Sequence, residues 1–173
     1  MDLQISFGVE ERIRRTRLVV FNFDGVFTDN TVFVLADGSE AVRCWRGDGL
    51  GLRKLERLGI GTAVVSTEEN PIVSLRCRKL GIRCVQGVQD KRTALETMIV
   101  EQGLSLSQVA FVGNDINDLP CFKCVGLSIV VHDAHPDVMA HSHYRTHTQG
   151  GRGAVREICD LFEHVLASKG ESR

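Results

Sequence analysis

Four consecutive apolar residues, Leu18–Phe21, run straight into Asn22-Phe23-Asp24-Gly25, and this junction constrains the fold more than any other stretch of the chain. A short unbroken apolar run closed by a turn reads as a strand buried on both faces, the kind found inside a parallel sheet. Similar runs recur at 62–65, 83–85, 109–112 and 127–131. Helical patterns at 50–58, 71–80, 93–102 and 119–125 lie between them, and a last helix covers 154–167, with Val155, Ile158, Phe162 and Val165 at helical spacing. Asn70-Pro71 and Asp90 are good helix starts, and Gly81 and Gly103 good stops. This alternation predicts an α/β fold, a Rossmann-like parallel sheet with helices on both faces. One segment breaks the rhythm: 31–35 and 41–45, separated by Ala36-Asp-Gly-Ser-Glu40, read as a β-hairpin inserted after the first strand. Such an insertion lies over the carboxyl ends of the strands, where open α/β sheets collect ligands.

Length and charge narrow the classes. At 173 residues, with no repeat or linker, the chain reads as a single domain over 1–173 with a sizeable core. A net charge of −1 leaves no basic face for nucleic acid. No apolar run approaches the ~20 residues of a membrane span. The mixed-charge run Glu10 to Arg15 lacks the apolar centre of a signal peptide, so a cytoplasmic setting is expected. Six scattered cysteines then read as buried thiols rather than disulfides. Cys121-Phe-Lys-Cys124 has half of a zinc-site spacing and no second pair. His132, His135, His141, His143 and His147 crowd one stretch, which reads as a polar loop around a short helix rather than a metal cluster.

Four distant segments share one edge of this sheet. Asn22-Phe23-Asp24 closes the first strand. Ser66-Thr67 closes another, where small hydroxyls and backbone N–H groups can hold a phosphate. Lys91 opens a helix after Gln89-Asp90, a cation suited to a transferring phosphoryl group. Gly113-Asn114-Asp115-Ile116-Asn117-Asp118 is an acidic turn suited to hard oxygen coordination of Mg²⁺. Singly each has a plain explanation, as a helix cap, a solvated lysine or a turn. Together, at the ends of alternate strands, they make chance the poorer account. Glu68 and Arg76 flank the second segment, on the helix expected to aim its N-terminus at the site. Gly150-Gly151-Arg152-Gly153 precedes a helix N-terminus, a natural anion site or a plain entry turn.

Taken in order, these motifs resemble the haloacid dehalogenase superfamily, in particular its small capless phosphatases of 3-deoxy-2-keto sugar acid phosphates. That group includes 3-deoxy-D-manno-octulosonate 8-phosphate phosphatase and the phosphatase-like C-terminal domain of CMP-sialic acid synthetases. The resemblance runs from about residue 18 to 162. Its most specific pieces are Asp24-Gly25-Val26-Phe27-Thr28-Asp29, Asp48-Gly49-Leu50-Gly51, Gln89-Asp90-Lys91, Val112-Gly113-Asn114-Asp115, Asp133-Ala134-His135-Pro136 and the stretch from Gly150 to Glu157. It implies that the hairpin is a flap, that four copies assemble as a homotetramer, and that the Arg152 loop closes a pocket shared between subunits. It also implies a mechanism in which the first Asp of the loop attacks phosphorus and the Asp two residues on protonates the leaving oxygen. Mg²⁺ is held by the first Asp, the second Asp's carbonyl and an acid of the last turn. Carried over, Asp24 is the acid/base, and Ser66, Thr67 and Lys91 hold phosphate. Glu68, Arg76 and Arg152 meet a substrate rich in hydroxyls with one carboxylate. The metal set is Asn22, Asp24, Asn114, Asp115 and Asp118. The turn Gly113 to Pro120 resembles the sialic-acid side of the group, which favours a nonulosonate 9-phosphate over an octulosonate 8-phosphate.

At the nucleophile position this chain has Asn22. An amide oxygen is a poor nucleophile because its lone pair is delocalised, and covalent catalysis needs an activated carboxylate. Asn114 also stands where the octulosonate enzymes have an Asp. Mg²⁺ should therefore bind weakly, and activity should be reduced or absent. Whether the amide is native or engineered stays open. The rival reading is a non-catalytic tetrameric module of nonulosonate metabolism.

Overall fold

The computed structural model describes residues 5–167. Its main sheet has six parallel strands: β1 (Leu18–Phe21), β4 (Gly61–Val65), β5 (Arg83–Val85), β6 (Val109–Gly113), β7 (Leu127–Val130) and β8 (Tyr144–Arg145). Their order is β5-β4-β1-β6-β7-β8. Every residue of β1, β6 and β7 is buried, as strands covered on both faces require. The chain steps outward from β1 to β4 and β5, then returns to β6 on the other side of β1. Right-handed crossovers therefore put helices on opposite faces of the two halves, and the direction of winding reverses beside β1.

The helices follow that rule. On one face α2 (Asp48–Arg57) packs on α7 (Ala154–Ala167), which also meets α1 (Phe7–Arg15). On the other α4 (Lys91–Glu101) packs on α5 (Leu119–Phe122). Between β4 and β5 lies α3 (Ile72–Leu80), closed by Gly81 in the left-handed region, and a short α6 (Pro136–Met139) follows β7. The expected Rossmann-like α/β architecture is borne out, and the five parallel strands that were expected lie within a residue of their expected ends.

Three features depart from the sequence reading, the first being the edge strand β8, which that reading did not contain. The hairpin strands shrink to β2 (Phe33–Val34) and β3 (Glu40–Ala41), with one further bridge between Thr28 and Cys44. Neither face of this ribbon reaches the core, so nothing holds a longer ladder in place. The helix α1, absent from the sequence reading, buries only Val9 and Ile13 beneath a run of charges.

Candidate active site

The first strand delivers Asn22 to the carboxyl edge and ties it there, its N–H donating to the Val112 carbonyl at 2.8 Å. Phe23 then turns into the core and stacks on Phe27, with ring centroids 5.7 Å apart. That anchor lets the next residue, Asp24, point outward. Gly25 has φ +77°, and a Cβ there would stand 2.1 Å from Asn114 Nδ2. The residue must be glycine, both for the turn and for the approach of the two loops. Thr28 closes the turn: its hydroxyl oxygen accepts from Gly25 N–H at 3.1 Å and its O–H reaches Asp24 Oδ1 at 3.3 Å.

Three strand ends meet around the Asn22 carboxamide, which is only 5% exposed. Its Oδ1 accepts from Lys91 Nζ at 3.0 Å. Its Nδ2 donates to the Asp24 carbonyl and to Asn114 Oδ1, both at 2.7 Å. The assignment of oxygen and nitrogen follows from the partners: an ammonium can only donate, and a backbone carbonyl can only accept. Lys91, 2% exposed, is held from its other side by Asp118 Oδ1 at 2.7 Å. Asp118 Oδ2 accepts from the N–H groups of Asn114 at 2.9 Å and Asp115 at 3.3 Å. A Cβ at Gly113 would lie 2.3 Å from that oxygen, so the glycine makes room for the carboxylate.

A cavity of about 570 Å³ opens beside this cluster, lined by Asn22, Asp24, Ser66, Thr67, Glu68, Asn114 and Asp115 and roofed in part by Thr31 and Val32 of the hairpin. Burial raises the Asp24 pKa, opposed by the Thr28 hydrogen bond and by Lys91 and reinforced by Glu68 and Glu40. Ser66 follows β4, and its hydroxyl oxygen accepts from the Glu68 N–H at 3.1 Å, leaving the hydroxyl hydrogen to donate into the cavity. Glu68 Oε1 in turn accepts from Asn70 N–H at 2.7 Å, and Asn70 Nδ2 donates to Glu40 at 3.0 Å. That last bond ties the hairpin to the loop of the second motif.

Not every residue of the sequence reading arrives in this cavity. Glu68 does line it, but from the loop before α3 rather than from the helix. Arg76 does ride on α3, yet it lines a separate hollow with Val42, Cys44 and Lys79 and donates to the Trp45 carbonyl at 3.4 Å. Arg152 lies outside the cavity lining and stands 4.0 Å from Asp29, the acid that also holds Arg43 of the hairpin. Asp118 spends both oxygens on Lys91 and the turn, so its place is behind the site. The reading quoted Thr28 within the first motif but gave it no role, since spacing alone does not show its hydroxyl facing back to Asp24. It also missed Asp29 as the meeting point of the hairpin and the glycine loop.

A divalent cation suited to this pocket needs hard oxygen donors, and anionic ones hold it best. The Asp24 carbonyl and Asn114 Oδ1 converge as such donors, but Asn22 Nδ2 lies within hydrogen-bonding distance of both. The one oxygen of Asn22 is taken by Lys91. Among the described residues no group of three or more His, Cys, Asp or Glu side chains is arranged to hold a metal. As arranged, the residues do not fit Mg²⁺.

Known proteins give this arrangement a lineage. The model of the haloacid dehalogenase-like hydrolases matches residues 82–158. The 3-deoxy-D-manno-octulosonate 8-phosphate phosphatase of Salmonella typhi is 35% identical over 159 residues, covering 91% of this chain and 85% of its own. The same enzyme from Moraxella catarrhalis, solved with magnesium, phosphate and a KDO molecule, superposes with a TM-score of 0.88 at 32% identity, covering 91% of each chain. A hydrolase of the same superfamily from Streptomyces avermitilis is 41% identical with a TM-score of 0.87, covering 92% of this chain and 93% of that one. With a relative this similar over nearly its whole length, the chain belongs to the haloacid dehalogenase-like hydrolases, a phosphatase of the branch that holds the 3-deoxy-D-manno-octulosonate 8-phosphate phosphatases.

Proposed function

We propose that this chain carries the site of a 2-keto-3-deoxy sugar acid phosphate phosphatase in which Asn22 disables or severely reduces turnover. One observation carries the reading: Asp24 and Ser66 line one cavity with Asn22, and Lys91 is bonded to the Asn22 amide from behind, with that amide in place of the attacking group. Lys91, pinned on Asp118 and bonded to Asn22 Oδ1, sets a buried positive charge directly behind position 22, which favours phosphoryl charge gathering in front of it. The Ser66 hydroxyl and the N–H groups beside it supply further donors. Asp24, its pKa raised by burial, stands in the cavity where it can give a proton to a departing alkoxide. What is lacking is a carboxylate oxygen at position 22 to form the bond to phosphorus as the ester bond breaks. The Mg²⁺ of the family is held weakly in this reading, because Asn22 must turn its oxygen away from Lys91 to meet it.

The Gly113 to Pro120 turn, which resembles the sialic-acid side of the group, favours a nine-carbon nonulosonate 9-phosphate over an eight-carbon substrate. Exposed apolar residues on the hairpin support a homotetramer in which neighbouring copies cover the flap and bring Arg152 and Arg76 toward shared pockets. Six free thiols support a reducing, cytoplasmic setting.

The chain as it stands should act as a trap. Titrated with a nonulosonate 9-phosphate in a calorimeter, it binds, and ³¹P spectra taken afterwards show the ester intact. Absence of binding for every sugar acid phosphate would replace this reading with a non-catalytic tetrameric module.

A further inference from the structure

We infer that the Asn22 carboxamide is a built-in substitute for a divalent cation, so that the closed site of this chain is stable without metal. Two acceptor oxygens from different segments, the Asp24 carbonyl and Asn114 Oδ1, converge on one point, and the group placed there is an NH₂. Convergent oxygens need a hydrogen-bond donor or a cation between them, and neither accepts another hydrogen from inside the cluster. Asn114 is 7% exposed, so water is a poor replacement. The amide supplies two polarised N–H bonds, one for each oxygen.

The same amide is locked in that orientation from behind. A carboxylate at position 22 has two oxygens, one for Lys91 and one for a cation. Asn22 has a single oxygen, and Lys91 Nζ takes it at 3.0 Å. To offer that oxygen to an ion, the side chain must rotate by half a turn. The rotation sets its NH₂ against the Lys91 ammonium, donor against donor, in a buried place where Lys91 is otherwise satisfied only by Asp118. Metal binding therefore competes with the intact hydrogen-bond network of the protein. The inference rests on this geometry and not on which phosphate ester the cavity takes.

An isosteric change reverses the logic. In Asn22→Asp, a second carboxylate oxygen replaces Nδ2 and faces two oxygens with no hydrogen between them. That variant needs a cation to close its site, whereas the unaltered chain does not. The test is thermal unfolding of both proteins in EDTA and in millimolar Mg²⁺, with Mn²⁺ binding followed by electron paramagnetic resonance. The unaltered chain should keep one melting temperature in both buffers and leave the free Mn²⁺ signal in place. Asn22→Asp should melt lower in EDTA, recover with Mg²⁺, and bind Mn²⁺ at least ~10-fold more tightly, since even changes one shell further out cost that much in affinity. Equal Mn²⁺ affinity in the two proteins, or a melting temperature of Asn22→Asp indifferent to Mg²⁺, overturns the inference. Should the variant fail to fold, the unaltered chain decides alone. Its Asn22 side-chain amide resonances survive stoichiometric Mn²⁺ if the inference holds and broaden away if the ion enters.

Discussion

Lys91 and Asp118 form an ion pair at 2.7 Å with side chains 1% and 0% exposed, and everything at the cavity floor leans on it. Breaking a buried pair leaves one charge without a partner or water, a cost of about 3–5 kcal/mol. Lys91→Met should lower stability by that order in urea unfolding, because Asp118 stays buried with only N–H partners. The contrast is Arg92–Glu96, a helix pair at 2.8 Å whose side chains are 53% and 42% exposed. Exposed pairs of that kind contribute little because water and salt screen them, so Glu96→Gln should be barely measurable. Equal losses in the two variants would show that Lys91 is solvated and free, and its hold on Asn22 would fall with it.

The start of α2 carries the clearest pH signature of any element. Asp48 is fully buried; its Oδ1 accepts from Arg156 N–H at 3.2 Å, while Oδ2 has no partner. Burial pushes its pKa from 3.8 up to about 7, against the pull of that hydrogen bond and of Arg76 and Arg156. The folded protein therefore holds a proton that the unfolded chain releases between about pH 4 and 7. This group makes stability fall as pH rises through that window and level off above it, by on the order of a few kcal/mol. Asp48→Asn should flatten the pH profile of the melting temperature across the window and raise it at neutral pH. An unchanged profile would mean that Asp48 ionises freely. At this scale the sequence was most readable. Strands β1, β4, β6 and β7 are apolar runs cut by turn residues, and burial on both faces leaves such runs no other use. The strand ends followed, and with them the meeting of Asn22, Ser66, Asn114 and Lys91. The helix α1 was hidden because just two buried residues, Val9 and Ile13, carry its pattern among arginines and glutamates. The hairpin was read too long because β-branched and apolar residues signal a strand even where, as here, they have no core to pack on. The direction of the Asn22 amide was out of reach, since it depends on Lys91 and Asn114, 69 and 92 residues away.

Across the whole molecule the apolar surface is unevenly spread. Val32, Phe33, Val34 and Leu35 are 48–70% exposed in one run, and Trp45 at the foot of the hairpin is 48% exposed. A contiguous patch of this kind on a strand ribbon marks an association surface. Light scattering at micromolar concentration should give the mass of four chains, and Phe33→Glu with Val34→Lys should give smaller species with the same circular dichroism. A monomer in the unaltered protein would contradict that assembly and remove Arg152 from any neighbouring site. The proposed reading, a phosphatase architecture with an amide at the bond-forming position, has one direct measurement. Phosphate release from nonulosonate 9-phosphate and octulosonate 8-phosphate is compared, with Mg²⁺ present, for the unaltered chain and Asn22→Asp. Losing a covalent catalytic group commonly costs ~10⁴–10⁶ in rate, so the variant should exceed the unaltered chain by that order, faster on the nine-carbon ester. If Asn22→Asp binds Mg²⁺ and stays inert on both esters, the site is not a phosphatase site awaiting its nucleophile, and the account is wrong at its centre.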